Sequence, residues 1–290
     1  MELTNAFFRE EERCGYLVSA EMKKVWAIEL DLLTRFQELC QQHNLRYFAS
    51  GGTLIGAVRH GGFIPWDDDI DIMMLREDYD KLLQVAPGAW EAPYFFQTVE
   101  TDKRYSRGHA QLRHSNTTAM LAHEGKRFPF NQGIFIDIFP VDEVPDDPQA
   151  LDALRRRLNR YERLLNWGVR YPGNPRKNLL KTAVHGMISL IPYRWLCRRR
   201  DKIAARYNGT GQSRVGPITF LPNEDKLLFP LAGFAAVETV PFEQGEIAIP
   251  AGYDEILRTQ YGDYRKMAKA DSYHSHITFD TERCYLDYIR

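Results

Sequence analysis

The chain has 290 residues, with 38 lysines and arginines against 39 aspartates and glutamates and a net charge of -1. Hydrophobic residues make up 44% and charged residues 27%, which excludes collagenous, low-complexity and wholly disordered chains and leaves enough apolar material for a substantial core. Near-neutrality also excludes a generally cationic nucleic-acid binder.

Residues 19–42 read as a long amphipathic helix. Val25, Ile28, Leu32, Phe36 and Leu39 recur at spacings of three and four, Ser19 can cap the start, and Glu21 lies in the first turn. Asn44 ends it. Residues 45–49 form a short strand candidate, Ser50-Gly51-Gly52 a turn, and residues 53–59 a short helix broken by His60-Gly61-Gly62. A second strand is expected over 69–74 and a helix over 77–85, stopped by Pro87-Gly88. Strands are read over 94–99 and from Gly108 to Leu112. The clearest later strand is 133–139, closed by Pro140, with Ile134, Ile136 and Ile138 on one face and Phe135, Asp137 and Phe139 on the other. A helix follows over about 149–167. This order of helices and short strands indicates a mixed α/β domain.

Charge then becomes polarised. Residues 151–214 hold 16 lysines and arginines against three acids, a net of +13, so the other 226 residues carry -14. The stretch reads as helical with a break at Tyr171-Pro-Gly-Asn-Pro175. It fits a solvated helical face, a guide for an anionic glycan acceptor, or a helix near 179–196 lying on an anionic membrane surface. It offers no regular aromatic platform for bases, so nucleic acid is not expected as a partner. Short strands over 234–240 and 246–249 and a helix over 253–260 complete the chain.

The N-terminal sequence places acids where a signal peptide carries its basic region, and the most apolar stretch, 184–196, is interrupted by Pro192 and Arg194. Cys14, Cys40, Cys197 and Cys284 contain no CxxC pair and are expected to be reduced thiols. These features point to a cytoplasmic protein, with peripheral contact at the inner membrane surface a further expectation for the basic stretch.

The sharpest feature is Ile64-Pro-Trp-Asp-Asp-Asp-Ile-Asp71. Four aspartates in five residues repel one another, and packing alone gives no reason to gather them. A hard divalent cation does, because it takes oxygen ligands and neutralises the repulsion. Strand alternation places Asp67, Asp69 and Asp71 on one face and Asp68 on the other. Asp137 repeats the pattern between Ile136 and Ile138, where an unpaired buried carboxylate is expensive. The preceding Gly51-Gly52 pair allows close backbone approach at a helix N-terminus, a plausible phosphate seat that is neither a Walker A loop nor a GxGxxG fingerprint.

GGTLIGAVRHGGFIPWDDDIDI, followed by MLREDYDKLL, closely resembles the signature of the LicD family of lipopolysaccharide and teichoic-acid cholinephosphotransferases, in the nucleotidyltransferase-fold superfamily. The lead-in from Val25, the segment GIFIDIFPVDEVPDD and the late VPFEQGEIAIPAGYDEILRTQYGDYRK are similar too, so the resemblance runs from about residue 20 to 268. It implies an α+β nucleotidyltransferase-like core with a mixed sheet flanked by helices. Residues 1–150 would form the catalytic core, 151–214 a basic helical insertion, and 215–290 the strands and helix that complete the catalytic domain. The implied activity is transfer of phosphocholine from CDP-choline to a sugar hydroxyl of a surface glycan or its lipid-linked precursor, with transfer of another CDP-linked phospho-alcohol such as ribitol phosphate, or a non-catalytic glycan-binding protein of the same fold, as alternatives.

Carried over residue by residue, the resemblance assigns Gly51 and Gly52 to the turn, and Asp69, Asp71 and Asp137 to catalysis and to magnesium, or manganese in its place. Phosphate oxygens of the donor would meet Thr53 and the neighbouring backbone N–H groups, Arg59 and His60, although Arg59 equally suits an aspartate partner and His60 a turn. Arg107, His109 and Arg113 are candidates for the phosphate or acceptor side, against a plain basic face. Trp66 and Tyr261 could wall the cleft or a choline ammonium, or simply pack. His274 and His276 lack further ligands for a metal role.

Overall fold

The computed structural model describes residues 3–122, 124–170, 179–267 and 277–289. The chain opens with a hairpin of β1 (Glu11–Arg13) and β2 (Tyr16–Val18), which turns through Cys14 and Gly15, both at positive φ. Helix α1 (Ala20–Gln42) follows as the spacing predicts: the Ser19 hydroxyl accepts from the Met22 N–H at 3.1 Å, and Val25, Leu32, Phe36 and Leu39 are buried. Strand β3 (Phe48–Ala49) is shorter than expected. Helix α2 (Gly51–His60) starts two residues earlier than expected, so the glycine pair is its first turn. Strand β4 (Asp71–Leu75) leads directly into α3 (Arg76–Val85).

Next come β5 (Tyr94–Gln97), β6 (Ala110–His114), β7 (Thr118–Leu121) and β8 (Ile134–Val144). Strand β8 is the spine of a mixed seven-stranded sheet. It pairs in parallel with β4, antiparallel with β6 through Ile138, and antiparallel with β9 (Arg214–Gly216) from Asp142 onward. Pro140 therefore does not close the strand. The Asp137 N–H points to the Ile70 carbonyl on the β4 side at 2.9 Å. Alternation then turns the Pro140 nitrogen the other way, into the gap where β6 has ended and β9 has not begun. No ladder bond is lost.

Helix α4 (Pro148–Leu165) is capped by Asp147, whose carboxylate accepts from the Ala150 N–H at 2.7 Å, and it ends in a π-helical turn over 166–170. The expected break at 171–175 lies outside the described residues. Helices α5 (Leu179–Ser189) and α6 (Tyr193–Ala204) lead back to β9 and to β10 (Phe229–Pro230), which pairs with it. The hairpin of β11 (Val237–Phe242) and β12 (Gly245–Pro250), helix α7 (Tyr253–Tyr261), strand β13 (Ile277–Asp280) against β7, and the short α8 (Leu286–Ile289) complete the chain.

One core takes side chains from Phe7 to Tyr264 and joins α1, the sheet, and the β11–β12 hairpin. A second cluster joins Val144 at the end of β8 to Leu151, Leu154 and Leu158 of α4, so apolar packing continues across the charge boundary near residue 150. The fold is mixed α/β, a nucleotidyltransferase-like core of a central mixed sheet flanked by helices. All four cysteines are free, with Cys40 and Cys197 buried and Cys14 exposed. Among the described residues, no helix is long and apolar enough to cross a membrane.

Candidate functional site

The site lies where β4 and β8 begin to run side by side. Asp71 opens β4 and is the register partner of Asp137 on β8. Paired residues of adjacent parallel strands share a face, and the strands lie about 4.8 Å apart, so the two carboxylates stand as neighbours. Asp137 is 7% exposed. Its Oδ1 accepts from the Gln111 side-chain amide at 2.6 Å and lies 3.1 Å from His109 Nε2. Burial works against ionisation of Asp137, but His109, Arg107 and the Gln111 amide outweigh it and hold the carboxyl at about 2. His109 is pushed down by its burial, against the opposing pull of Asp137.

Asp67, Asp68 and Asp69 belong to the loop before β4, not to a strand. The Asp67 N–H closes a turn onto the Ile64 carbonyl, and the Trp26 indole of α1 donates to the Asp67 carbonyl at 3.0 Å. Alternation therefore does not apply to these residues. Each of the three offers a carboxylate oxygen within 4.8 Å of the others, so Asp68 joins its neighbours where strand geometry had placed it on the opposite face.

The glycine pair explains how these carboxylates reach the start of α2. Gly51 has φ +55°, and a Cβ there would lie 3.1 Å from Asp71 Oδ2. A Cβ on Gly52 would overlap the Asp67 carboxylate. The pair thus makes room for Asp67 and Asp71 over a helix N-terminus, whose partial positive charge favours them. Thr53 is committed to the same arrangement, its hydroxyl accepting from the Asp71 N–H at 2.8 Å. Tyr261, at the end of α7, brings its hydroxyl to 3.7 Å from the position a Gly51 Cβ would occupy. Burial first, and then Asp71, Asp67 and Asp69, push its phenol well up, so it stays a proton donor. The next loop is fixed by Glu243, whose carboxylate accepts from the Phe63 N–H at 3.0 Å over Gly62.

Other expected residues lie elsewhere. Arg59 and His60 occupy the opposite end of α2, about 10 Å along its axis from Gly52. The Arg59 guanidinium donates to the Tyr264 carbonyl at 2.8 Å and to His60 Nε2 at 2.9 Å. Arg113 is 1% exposed, and its three guanidinium nitrogens donate to Gln97 Oε1, the Gly133 carbonyl and Gln111 Oε1, so it offers no surface to a phosphate. Arg107 is paired with Glu124 at 2.6 Å, and its charge is favoured by Glu124, Tyr105 and Asp137 against the cost of burial. Trp66 is half-buried, edge-on to Tyr16 at 6.1 Å between ring centroids. His274 and His276 lie outside the described residues.

Gln111 escaped the sequence reading. Its only signal was a polar side chain alternating with Ala110 and Leu112 in a buried strand. With it, Asp137 is the end of a buried chain running from Arg113 through Gln111. The clustered donors are carboxylate oxygens, hard and anionic, and they suit a hard divalent cation. A carboxylate cluster at the start of β4, beside a glycine-started helix on a mixed sheet, is an arrangement consistent with a nucleotidyltransferase-like core.

Comparison with known proteins agrees. Residues 44–148 match the LicD/FKTN/FKRP nucleotidyltransferase domain, a span that holds Asp67 through Asp71, Gln111 and Asp137. The chain is 27% identical over 248 residues to the lipopolysaccharide cholinephosphotransferase LicD of Haemophilus influenzae, covering 85% of this chain and 92% of that protein. It is 31% identical over 115 residues to an uncharacterized Rickettsia prowazekii protein, covering 40% of this chain and 39% of that one. A stretch of 41 residues is 53% identical to the mouse ribitol 5-phosphate transferase FKRP, covering 14% of this chain and 8% of that protein. Residues 44–148 thus resemble the LicD/FKTN/FKRP nucleotidyltransferase domain, and the chain is similar to LicD over most of its length.

Proposed function

We propose that the protein transfers phosphocholine from CDP-choline to a sugar hydroxyl of a cell-surface glycan or its lipid-linked precursor, acting in the cytoplasm. The observation that carries this reading is the Asp71–Asp137 register beside the Asp67–Asp69 cluster, in a chain similar to the Haemophilus influenzae cholinephosphotransferase over 92% of that protein's length. In the reaction the sugar oxygen forms a bond to the phosphocholine phosphorus. The phosphorus–oxygen bond to CMP breaks, its electron pair leaves with CMP, and the hydroxyl proton is released.

Asp69, Asp71 and Asp137, with Asp67 and Asp68 beside them, would hold magnesium, or manganese in its place. When bound, the ion neutralises diphosphate charge and stabilises the charge that builds on the leaving oxygen. Asp137, held by the Gln111 amide, would act on the donor by orientation and charge. The Gln111 amide fixes its Oδ1, and His109 lies beside it. The Tyr261 hydroxyl, kept protonated beside the carboxylates, is placed to donate to a donor oxygen. Gly51 and Gly52 keep the floor of the site free of side chains.

A second reading, transfer of ribitol phosphate or another phospho-alcohol from a CDP donor, is favoured by the 53% identity to FKRP over 41 residues. Calorimetry and mass spectrometry with CDP-choline, CDP-ribitol and CTP, in magnesium and in chelator, separate the two. Magnesium-dependent binding and cleavage of CDP-choline is expected. A response to CDP-ribitol alone would move the donor, and no magnesium-dependent response to any of the three would overturn both readings.

A further inference from the structure

The basic helical region shows an apolar stripe facing outward. Leu180, Ala183, Met187 and Leu190, at spacings of three, four and three, fall on one face of α5 and its C-terminal extension, and all four are exposed. Leu190 is 84% exposed and Leu180 75%, the two highest values among the exposed large apolar side chains of the described residues. Ile191 and Trp195 continue the patch around the corner into α6.

The other face of α5 has found its partners. His185 Nδ1 lies 2.6 Å from the Trp167 carbonyl, and the Ser189 hydroxyl donates to the Gly168 carbonyl at 3.2 Å. Ile188 packs so closely on Gly168 that a Cβ there would lie 2.8 Å from it. The helix is therefore docked by one side, and the stripe is what that docking leaves outside.

Charge identifies what would cover it. No acidic residue occurs between Leu179 and Arg200. Arg199 is exposed, and its guanidinium lies 5.4 Å from the centroid of the exposed Trp195 ring. Arg160 and Arg163 are exposed and rim a cavity of about 350 Å³ between α4 and α5, lined also by Leu164, Trp167 and Ile188. A second copy meeting this face through a twofold axis would set arginine against arginine. An anionic bilayer meets both requirements at once, taking the apolar side chains into the acyl boundary and the arginines at the phosphates.

We propose that the outer face of α5 and the corner to α6 seat the protein on an anionic phospholipid surface, with Leu180, Met187, Leu190 and Trp195 inserted and Arg160, Arg163 and Arg199 at the headgroups. The same surface would present a lipid-linked acceptor to the site, but membrane binding itself requires neither the donor nor catalysis.

Cosedimentation with vesicles of equal parts phosphatidylglycerol and phosphatidylcholine, against phosphatidylcholine alone, tests it on the full chain without nucleotide. Binding at least about tenfold tighter to the anionic vesicles is expected. Leu180→Ser/Met187→Ser/Leu190→Ser should weaken that binding about tenfold or more, with an unchanged circular dichroism spectrum. Arg160→Gln/Arg163→Gln should weaken it and flatten its salt dependence, an independent readout should the triple variant fail to fold. Equal binding to both vesicles, wild-type binding by a folded triple variant, or a lipid-free dimer that the triple variant converts to monomer would each overturn the proposal.

Discussion

Asp71 and Asp137 are register partners on adjacent parallel strands, 66 residues apart in sequence, and each is fixed by a different neighbour. Asp71 is held through its N–H by the Thr53 hydroxyl, and Asp137 through its carboxylate by Gln111. Replacing either carboxylate by its amide preserves shape and removes charge. Asp71→Asn and Asp137→Asn are each expected to lower kcat about a thousandfold, with Tm near wild type. Steady-state kinetics beside thermal melting checks this; near-normal turnover in either variant would remove that residue from the site.

The clustered carboxylates of Asp67, Asp68 and Asp69 should make stability depend on the cation. At a hundredfold excess over Kd, magnesium should stabilise the fold by about 2.7 kcal/mol, roughly 4 to 5 °C in Tm. Asp68→Asn should bind magnesium about tenfold more weakly and show a smaller rise at the same concentration. Differential scanning fluorimetry over a magnesium titration measures both. A melting curve indifferent to magnesium in the wild type would contradict a cation site here.

Two glycines separate the cost of a side chain at the site from the cost of backbone strain. Gly52→Ala would push a methyl group into the Asp67 carboxylate, while Gly15→Ala meets nothing within 4 Å but sits at φ +72°. Gly15→Ala should therefore lower stability by about 1 kcal/mol and leave kcat alone. Gly52→Ala should lower kcat at least about tenfold. Measuring kcat and Tm for the pair decides it, since equal effects on both quantities would mean that the space over Gly52 has no role in turnover.

Arg113 and Gln111 make the same distinction deeper in the sheet. Arg113→Met strips donors from Gln97, Gly133 and Gln111, and should cost about 3 kcal/mol of stability. Gln111→Leu removes the amide bonded to Asp137 and should lower kcat about tenfold with a smaller loss of Tm. The KM for donor should follow neither change as it would follow loss of a phosphate-binding arginine. A large KM increase confined to Arg113→Met would restore the phosphate role that its sequence position suggested.

What the sequence made legible was local. Helix α1 announced itself through Ser19 and its three-and-four spacing, and the alternation of isoleucines around Asp137 located the central strand. Asp69 was misplaced because four crowded aspartates look like the start of a strand, while the chain uses a turn, tied to the Trp26 indole, before pairing begins at Asp71. Pro140 looked like an end because its missing N–H harms a strand only where a partner waits on that side. Arg113 was a candidate for the phosphate or acceptor side, since sequence carries no sign that Gln97, Gln111 and Gly133 would gather around it. The hydroxyl of Tyr261 approaches Gly51 across 210 positions of chain, and only tertiary packing decides such an approach.

Arg76 ties the basic helices to the central sheet. It opens α3 and donates twice to Asp142 of β8, through Nε and Nη2 at 2.8 Å each, and through Nη1 to Asp201 of α6 at 2.9 Å. Asp142 is fully buried, and it also accepts from the Asn208 amide at 2.7 Å. Burial opposes the Arg76 charge, but Asp142, Asp201 and Asp80 outweigh it and raise the guanidinium well above its ordinary value. Arg76→Met would leave the Asp142 carboxylate in the interior without its cation, a change that costs about 3–5 kcal/mol. For a chain of this size that is a fall in Tm of roughly 5 to 8 °C. Arg76→Met/Asp142→Leu should recover most of the loss, because a packed apolar pair carries no stranded charge. Guanidinium unfolding of the two variants measures the difference, and an Arg76→Met chain as stable as the wild type would show that the clamp does not hold α6 to the sheet.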